Sequence, residues 1–65
     1  MPQETELQLA EANVLQAEIH VARQQSVIAL KRRQLQPTAL SERILLTLEV
    51  SLALHRENLS QLRRA

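Results

Sequence analysis

Apolar residues in the second half of the chain follow the alternating three- and four-residue spacing of a single helix face. They are Leu45, Leu48, Leu52, Leu59 and Leu62, with His55 at the one polar position. This is the spacing of the a and d positions of a coiled coil, and it predicts a helix over about 38–63. In the first half, Leu7, Val14, Val21, Ile28 and Leu35 are seven residues apart, with Ala10 and Ala17 between them, which predicts a helix over about 5–35.

The helical pattern breaks at the sequence "QLQPT", which contains Pro37. Proline disfavours helical geometry at the preceding residue, Gln36, and cannot lie inside a helix itself. We therefore expect a turn at about 36–37, with Thr38 as the N-cap of the second helix and Thr5 as the N-cap of the first. Two helices of similar length joined by so short a turn predict an antiparallel hairpin that forms one domain, 1–65.

Each predicted helix also carries a second apolar stripe that one partner helix cannot cover. In the second helix this stripe is Leu46, Val50, Ala53 and Leu54. In the first helix it is Ala12, Leu15, Ile19, Ala22, Ala29 and Leu30. We therefore predict an all-α fold in which the hairpin self-associates into a four-helix bundle, as a homodimer or alternatively a tetramer. The expected oligomer interface contains Val14, Val21, Ile28, Leu45, Leu48, Leu52, His55, Leu59 and Leu62.

Composition supports association and argues against an enzyme. The chain has 65 residues and no Cys, Gly, Phe, Trp or Tyr, so its small core has neither disulfides nor cysteine metal ligands to reinforce it. Glu18 and His20 are two residues apart and point to different sides of a helix, which is poor geometry for a metal site. We expect no catalytic residues, no cofactor and no metal. The nearly uncharged run from Ile44 to Leu54 is shorter than a bilayer span, so we expect a cytoplasmic protein without a membrane segment.

The only run of charges is Lys31, Arg32 and Arg33, close to the expected hairpin tip. Such a cluster could bind nucleic-acid phosphates, RNA in particular, above all if two hairpins align tip to tip and bring two clusters together. The alternative is a solvated helix end, where cations are favoured by the helix dipole. The lack of aromatic residues on which bases could stack favours the alternative.

Two polar residues interrupt apolar surfaces at the same expected level of the hairpin. His55 occupies a d position where the other residues are Leu, and Glu18 lies within an apolar arc of the first helix. We expect Glu18 and His55 either to form a polar pair inside the bundle or to reach water separately. A polar residue at a d position commonly fixes register and oligomeric state at some cost in stability.

The segments "HVARQQSVIALKRRQ" and "LLTLEVSLALHRENLSQL" resemble a group of short, uncharacterised bacterial helical-hairpin proteins of unassigned function. The shared pattern includes His20, Arg23 and Gln24 before the turn, and Leu45, Leu46 and His55 after it. The resemblance implies a helical hairpin and no activity. The function expected from the sequence is therefore a protein-interaction or small regulatory module that binds a second copy of itself or another protein, with nucleic-acid binding as the alternative.

Overall fold

The computed structural model describes residues 2–64, with side chains from residue 5 onwards, as two helices joined by a short turn. Helix α1 spans Pro2–Arg33 and helix α2 spans Ala39–Arg64. The helices pack side by side in a rod of 51 × 14 × 12 Å, and no strand occurs within residues 2–64. The prediction of an all-α hairpin is confirmed.

Helix α1 begins three residues before the predicted start, because Pro2 suits the first position of a helix. Thr5 therefore lies inside α1 and not at its N-cap.

The predicted heptad seam joins the two helices of one chain. The buried apolar residues are Ala10, Ala17, Ile28, Leu52 and Leu59. Most of the other a and d residues, including Val14, Val21, Leu45, Leu48, His55 and Leu62, are half-buried. The nine residues predicted to form the oligomer interface therefore lie in this seam. The turn places α2 against the a and d face of α1, so these residues join the two helices of one chain, and their contact with a second copy stays a prediction.

Ion pairs along one edge of the hairpin fix its antiparallel register. Arg32 lies 2.8 Å from Glu42, and Arg56 lies 3.1 Å from Glu18. All four residues are at e positions of their heptads, and e positions of antiparallel helices face each other across the seam. Each exposed pair contributes at most about 1 kcal/mol, so the pairs select the alignment more than they stabilise it.

Helix α1 ends in a Schellman motif built around Leu35. The backbone N–H of Gln36 donates to the carbonyl of Lys31 at 2.8 Å, and that of Leu35 donates to the carbonyl of Arg32 at 3.1 Å. This geometry requires the left-handed conformation at Leu35, whose φ is 57°. The helix consequently stops at Arg33, two residues before the predicted end.

Helix α2 begins as predicted, with Thr38 in the N-cap position. The Thr38 carbonyl accepts the first helical hydrogen bond, from the N–H of Glu42 at 2.8 Å. The Thr38 hydroxyl is 3.4 Å from the Glu42 carboxylate, which accepts its hydrogen bond. Glu42 therefore makes a side-chain contact with the N-cap across the first turn of α2.

Replacing Leu35 by Gly should stabilise the hairpin. A left-handed conformation costs a residue with a Cβ about 1–2 kcal/mol, and glycine avoids this cost while adding a smaller entropy to the unfolded chain. The Leu35 side chain is 93% exposed, so little packing is lost. We expect a net gain of about 0.5–1 kcal/mol in the free energy of unfolding, measured by urea denaturation. Leu35→Ala, which keeps the Cβ, is the control, and an equal gain from Ala would refute the explanation.

Candidate interaction surface

The hairpin leaves much of its apolar surface uncovered. Ten large aliphatic side chains are exposed, at fractions from 41% to 93%: Leu9, Leu15, Val27, Leu30, Leu35, Leu40, Ile44, Leu46, Val50 and Leu54. The accessible surface is 5154 Å². A compact monomer of the same mass is expected to have about 4200 Å². The elongated two-helix rod therefore exposes side chains that a thicker fold would bury.

One exposed group lies on α2, on the side opposite the seam, and we call it the outer stripe: Leu46, Val50, Ala53 and Leu54. Val50 is two residues from the seam positions 48 and 52, and two residues correspond to about 200° around a helix. Leu46, Val50 and Leu54 are 62%, 54% and 67% exposed. The stripe therefore faces away from α1, and no part of the described hairpin covers it.

Charges of opposite sign stand at the two ends of the outer stripe. Arg43 lies seven residues before Val50 and Glu57 seven residues after it, so both lie on the same side of α2 as Val50. The Arg43 guanidinium is exposed and has no hydrogen bond or ion pair within the described residues. Glu57 is also exposed; it accepts a hydrogen bond from Gln61 at 3.3 Å and lies 3.8 Å from Arg64. The apolar stripe therefore runs between an unpaired cation and a weakly paired anion.

A second exposed group lies beside the turn, on the edge of the hairpin opposite the ion pairs. It consists of Val27 and Leu30 near the end of α1, and Leu40 and Ile44 near the start of α2. The exposed fractions run from 41% at Val27 to 69% at Leu40. This group is apolar throughout and carries no charge of its own.

The three cations of the basic run predicted at the tip have different surroundings in the hairpin. Lys31 is half-buried, and its Nζ donates to the hydroxyl of Ser41 at 2.8 Å. Arg32 is paired with Glu42. Arg33 is exposed and has no partner among the residues that the structure describes. Two of the three cations are thus used inside the hairpin, and a single arginine is left for a phosphate.

The Glu18 and His55 side chains do not form a pair in the hairpin. The Glu18 carboxylate accepts a hydrogen bond from Arg56 at 3.1 Å and is 46% exposed. His55 is half-buried in the seam, where it lines an open groove of about 190 Å³ together with Asn13, Gln16, Ala17, His20, Leu48 and Ser51. Glu18 was expected to lie level with His55, and its actual partner, Arg56, is the next residue along α2. Glu18 is nevertheless at an e position, where the facing e residue of α2 is Arg56, whereas His55 points into the seam.

A buried polar contact near the turn was not predicted. Ser41 is only 3% exposed, and besides accepting from Lys31 it offers its backbone carbonyl to the Gln24 amide nitrogen at 2.9 Å. Gln24, Lys31 and Ser41 all occupy d positions of the two heptad patterns. Their heptad position could have predicted this contact, since polar residues at d positions are directed at the partner helix.

The described residues contain neither a metal cluster nor a membrane span. Among the side chains of residues 5–64 there is no group of three or more His, Cys, Asp or Glu that could hold a metal ion. Neither α1 nor α2, over the same residues, has a stretch long and apolar enough to cross a bilayer.

No family model, curated protein or solved structure matches this chain at a significant level. The resemblance to short bacterial helical-hairpin proteins therefore stays an expectation from the sequence. The functional argument rests on the surface of the hairpin itself.

Proposed function

We propose that the chain acts as a self-associating helical hairpin, two copies of which form a four-helix bundle that serves as a protein-interaction or small regulatory module. The observation that carries this proposal is the set of ten exposed large aliphatic side chains within the part of the chain that the structure describes. Burying apolar surface releases roughly 25 cal/mol per Å², so covering such side chains favours association. No side chain among the described residues is fully buried in the hairpin, which leaves a single copy with little core of its own.

The rival function, nucleic-acid binding through Lys31, Arg32 and Arg33, has less support. Phosphate binding needs cations that are free to approach the nucleic-acid backbone. Lys31 is committed to Ser41, and Arg32 to Glu42. Of the three cations in the run, only Arg33 is without a partner within the described residues, and the chain has no Phe, Trp or Tyr on which a base could stack.

Self-association predicts that thermal stability depends on protein concentration. If the dimer is the stable folded form, raising the concentration shifts the equilibrium away from the unfolded chain. For a chain of this length, a hundred-fold increase should raise Tm by about 10 °C. Circular dichroism melts over that range measure the shift, and sedimentation equilibrium measures the mass. A single 7.4 kDa species whose Tm does not change with concentration would disprove the proposal.

A further inference from the structure

We propose that two copies of this chain associate through the outer stripes of their α2 helices, packed antiparallel around a two-fold axis that passes beside Val50. This inference rests on the proposed self-association and adds to it the contact surface and the relative orientation of the two copies. The two α2 helices then lie in the middle of the four-helix assembly, each between its own α1 and the partner's α2, and the second apolar stripe of α1 stays on the outside of this dimer. The evidence is the symmetry of α2 about Val50.

The apolar residues of the outer stripe are self-complementary in this arrangement. In an antiparallel pair with a two-fold axis at Val50, each residue faces the residue that lies equally far from Val50 on the other side. Leu46 lies four residues before Val50 and Leu54 four residues after it, so each Leu46 faces a Leu54 of the other copy. Thr47 and Ala53, three residues away on either side, face each other in the same manner. The contact is apolar at its centre and contains only one small polar side chain from each copy.

The charges at the ends of the stripe select the antiparallel orientation. Arg43 and Glu57 are equally far from Val50, so the two-fold axis places each Arg43 opposite a Glu57 of the other copy. A parallel pair in register would instead place arginine against arginine and glutamate against glutamate. Opposite charges across an interface favour the correct orientation, and like charges disfavour the wrong one.

These two residues cannot satisfy each other within one chain. They are fourteen residues apart on one helix, a distance of about 21 Å along its axis. Arg43 has no ion pair within the described hairpin, and the ion pair of Glu57 there is the long contact with Arg64, beside a hydrogen bond from Gln61. The second apolar group, beside the turn, lacks such a charge pattern, so nothing comparable specifies a partner for it.

Charge reversal gives a test that distinguishes contact between chains from folding within a chain. Arg43→Glu and Glu57→Arg each replace two attractive pairs with two repulsive pairs in the homodimer. From the typical size of exposed ion pairs, each variant should dimerise roughly 10- to 100-fold more weakly at low salt. Mixing the two single variants in equal amounts creates a heterodimer with two attractive pairs. Sedimentation equilibrium should therefore show dimer in the mixture but much less in either variant alone, and the double variant should dimerise like the parent.

Arg33→Glu is the matched control, because Arg33 is exposed, unpaired within the described residues and outside the outer stripe. It should leave the dimerisation constant unchanged. Rescue on mixing cannot come from the folding of either chain alone, so the proposal stays testable even if a single variant loses helicity. If Arg43→Glu and Glu57→Arg dimerise as tightly as the parent, the α2 contact is wrong while self-association stands. If the parent itself is a monomer, the proposed function fails as well.

A cysteine on the symmetry axis offers an independent check. The chain contains no Cys, so Val50→Cys introduces a single thiol whose nearest partner in the dimer is the same residue of the other copy. Mild oxidation should convert most of this variant into a disulfide-linked dimer, seen on a non-reducing gel. Leu15→Cys, on the outer surface of α1, should cross-link far more slowly. Equal rates for the two variants would overturn the proposed axis.

Discussion

Replacing Leu52 by Asp should unfold the hairpin. Leu52 is 7% exposed in the middle of the seam. Losing a buried leucine costs about 2–5 kcal/mol, and burying a carboxylate without a partner adds several more. A domain of this length has a total stability of roughly 3–10 kcal/mol, so the substitution should remove most or all of it. The measurement is helical circular dichroism at 222 nm, which should fall towards that of an unfolded chain at a concentration where the parent is folded.

The matched control is Leu15→Asp, the same substitution at an exposed site. Leu15 is 60% exposed on α1 and lies outside both the seam and the outer stripe. Surface substitutions usually change stability by about 0.5 kcal/mol or less, so this variant should keep its helicity. If Leu52→Asp melted like the parent, or if both variants unfolded alike, the assignment of Leu52 to the seam would be wrong.

The helices and their seam could be predicted because a heptad pattern states which residues share a face. The spacing of Leu45, Leu52 and Leu59 is enough to identify that face. It does not state which helix covers the face. The turn decides this by placing α1 against the a and d residues of α2 in the same chain, so the residues expected at the contact between copies also form the seam of the hairpin.

The end of α1 was harder to predict than its body. The seven-residue spacing includes Leu35, so the pattern alone extends the helix to that residue. Pro37 restricts Gln36, and the chain meets this restriction by closing a Schellman motif one residue earlier. Glycine is the usual signal for the left-handed residue of this motif, and the chain has none. The position of the turn was therefore predictable, but the conformation of Leu35 was not.

Side-chain partners were predicted least well, because several candidates lie at each level of a hairpin. His55 and Arg56 both lie about as far from the turn as Glu18 does, so distance from the turn does not decide which of them Glu18 contacts. The e position of Arg56, together with its length and charge, decides the pairing. Ser41 was missed for a related reason: a serine near a helix start suggests a cap or a solvated residue, yet its d position directs it into the seam, where Lys31 donates to it.

Replacing His55 by Leu should stabilise the hairpin and broaden the range of oligomers that it forms. The His55 ring is half-buried at a d position and has no hydrogen bond or ion pair within the described residues. Leucine would extend the apolar seam between Leu52 and Leu59 without leaving a polar partner unsatisfied. We expect a gain of about 1–2 kcal/mol in the free energy of unfolding, and a rise in Tm of roughly 5–10 °C.

The same substitution should broaden the distribution of oligomers, since a polar residue at a d position specifies oligomeric state at a cost in stability. Thermal melts measure the first effect and sedimentation velocity the second. His20→Leu is the matched control: His20 is exposed at the edge of the same groove, and its ring lies 3.4 Å from the Gln16 amide nitrogen, so the change should alter Tm little. A His55→Leu variant that keeps the parent's Tm and remains a single species would show that His55 neither weakens the seam nor sets the assembly.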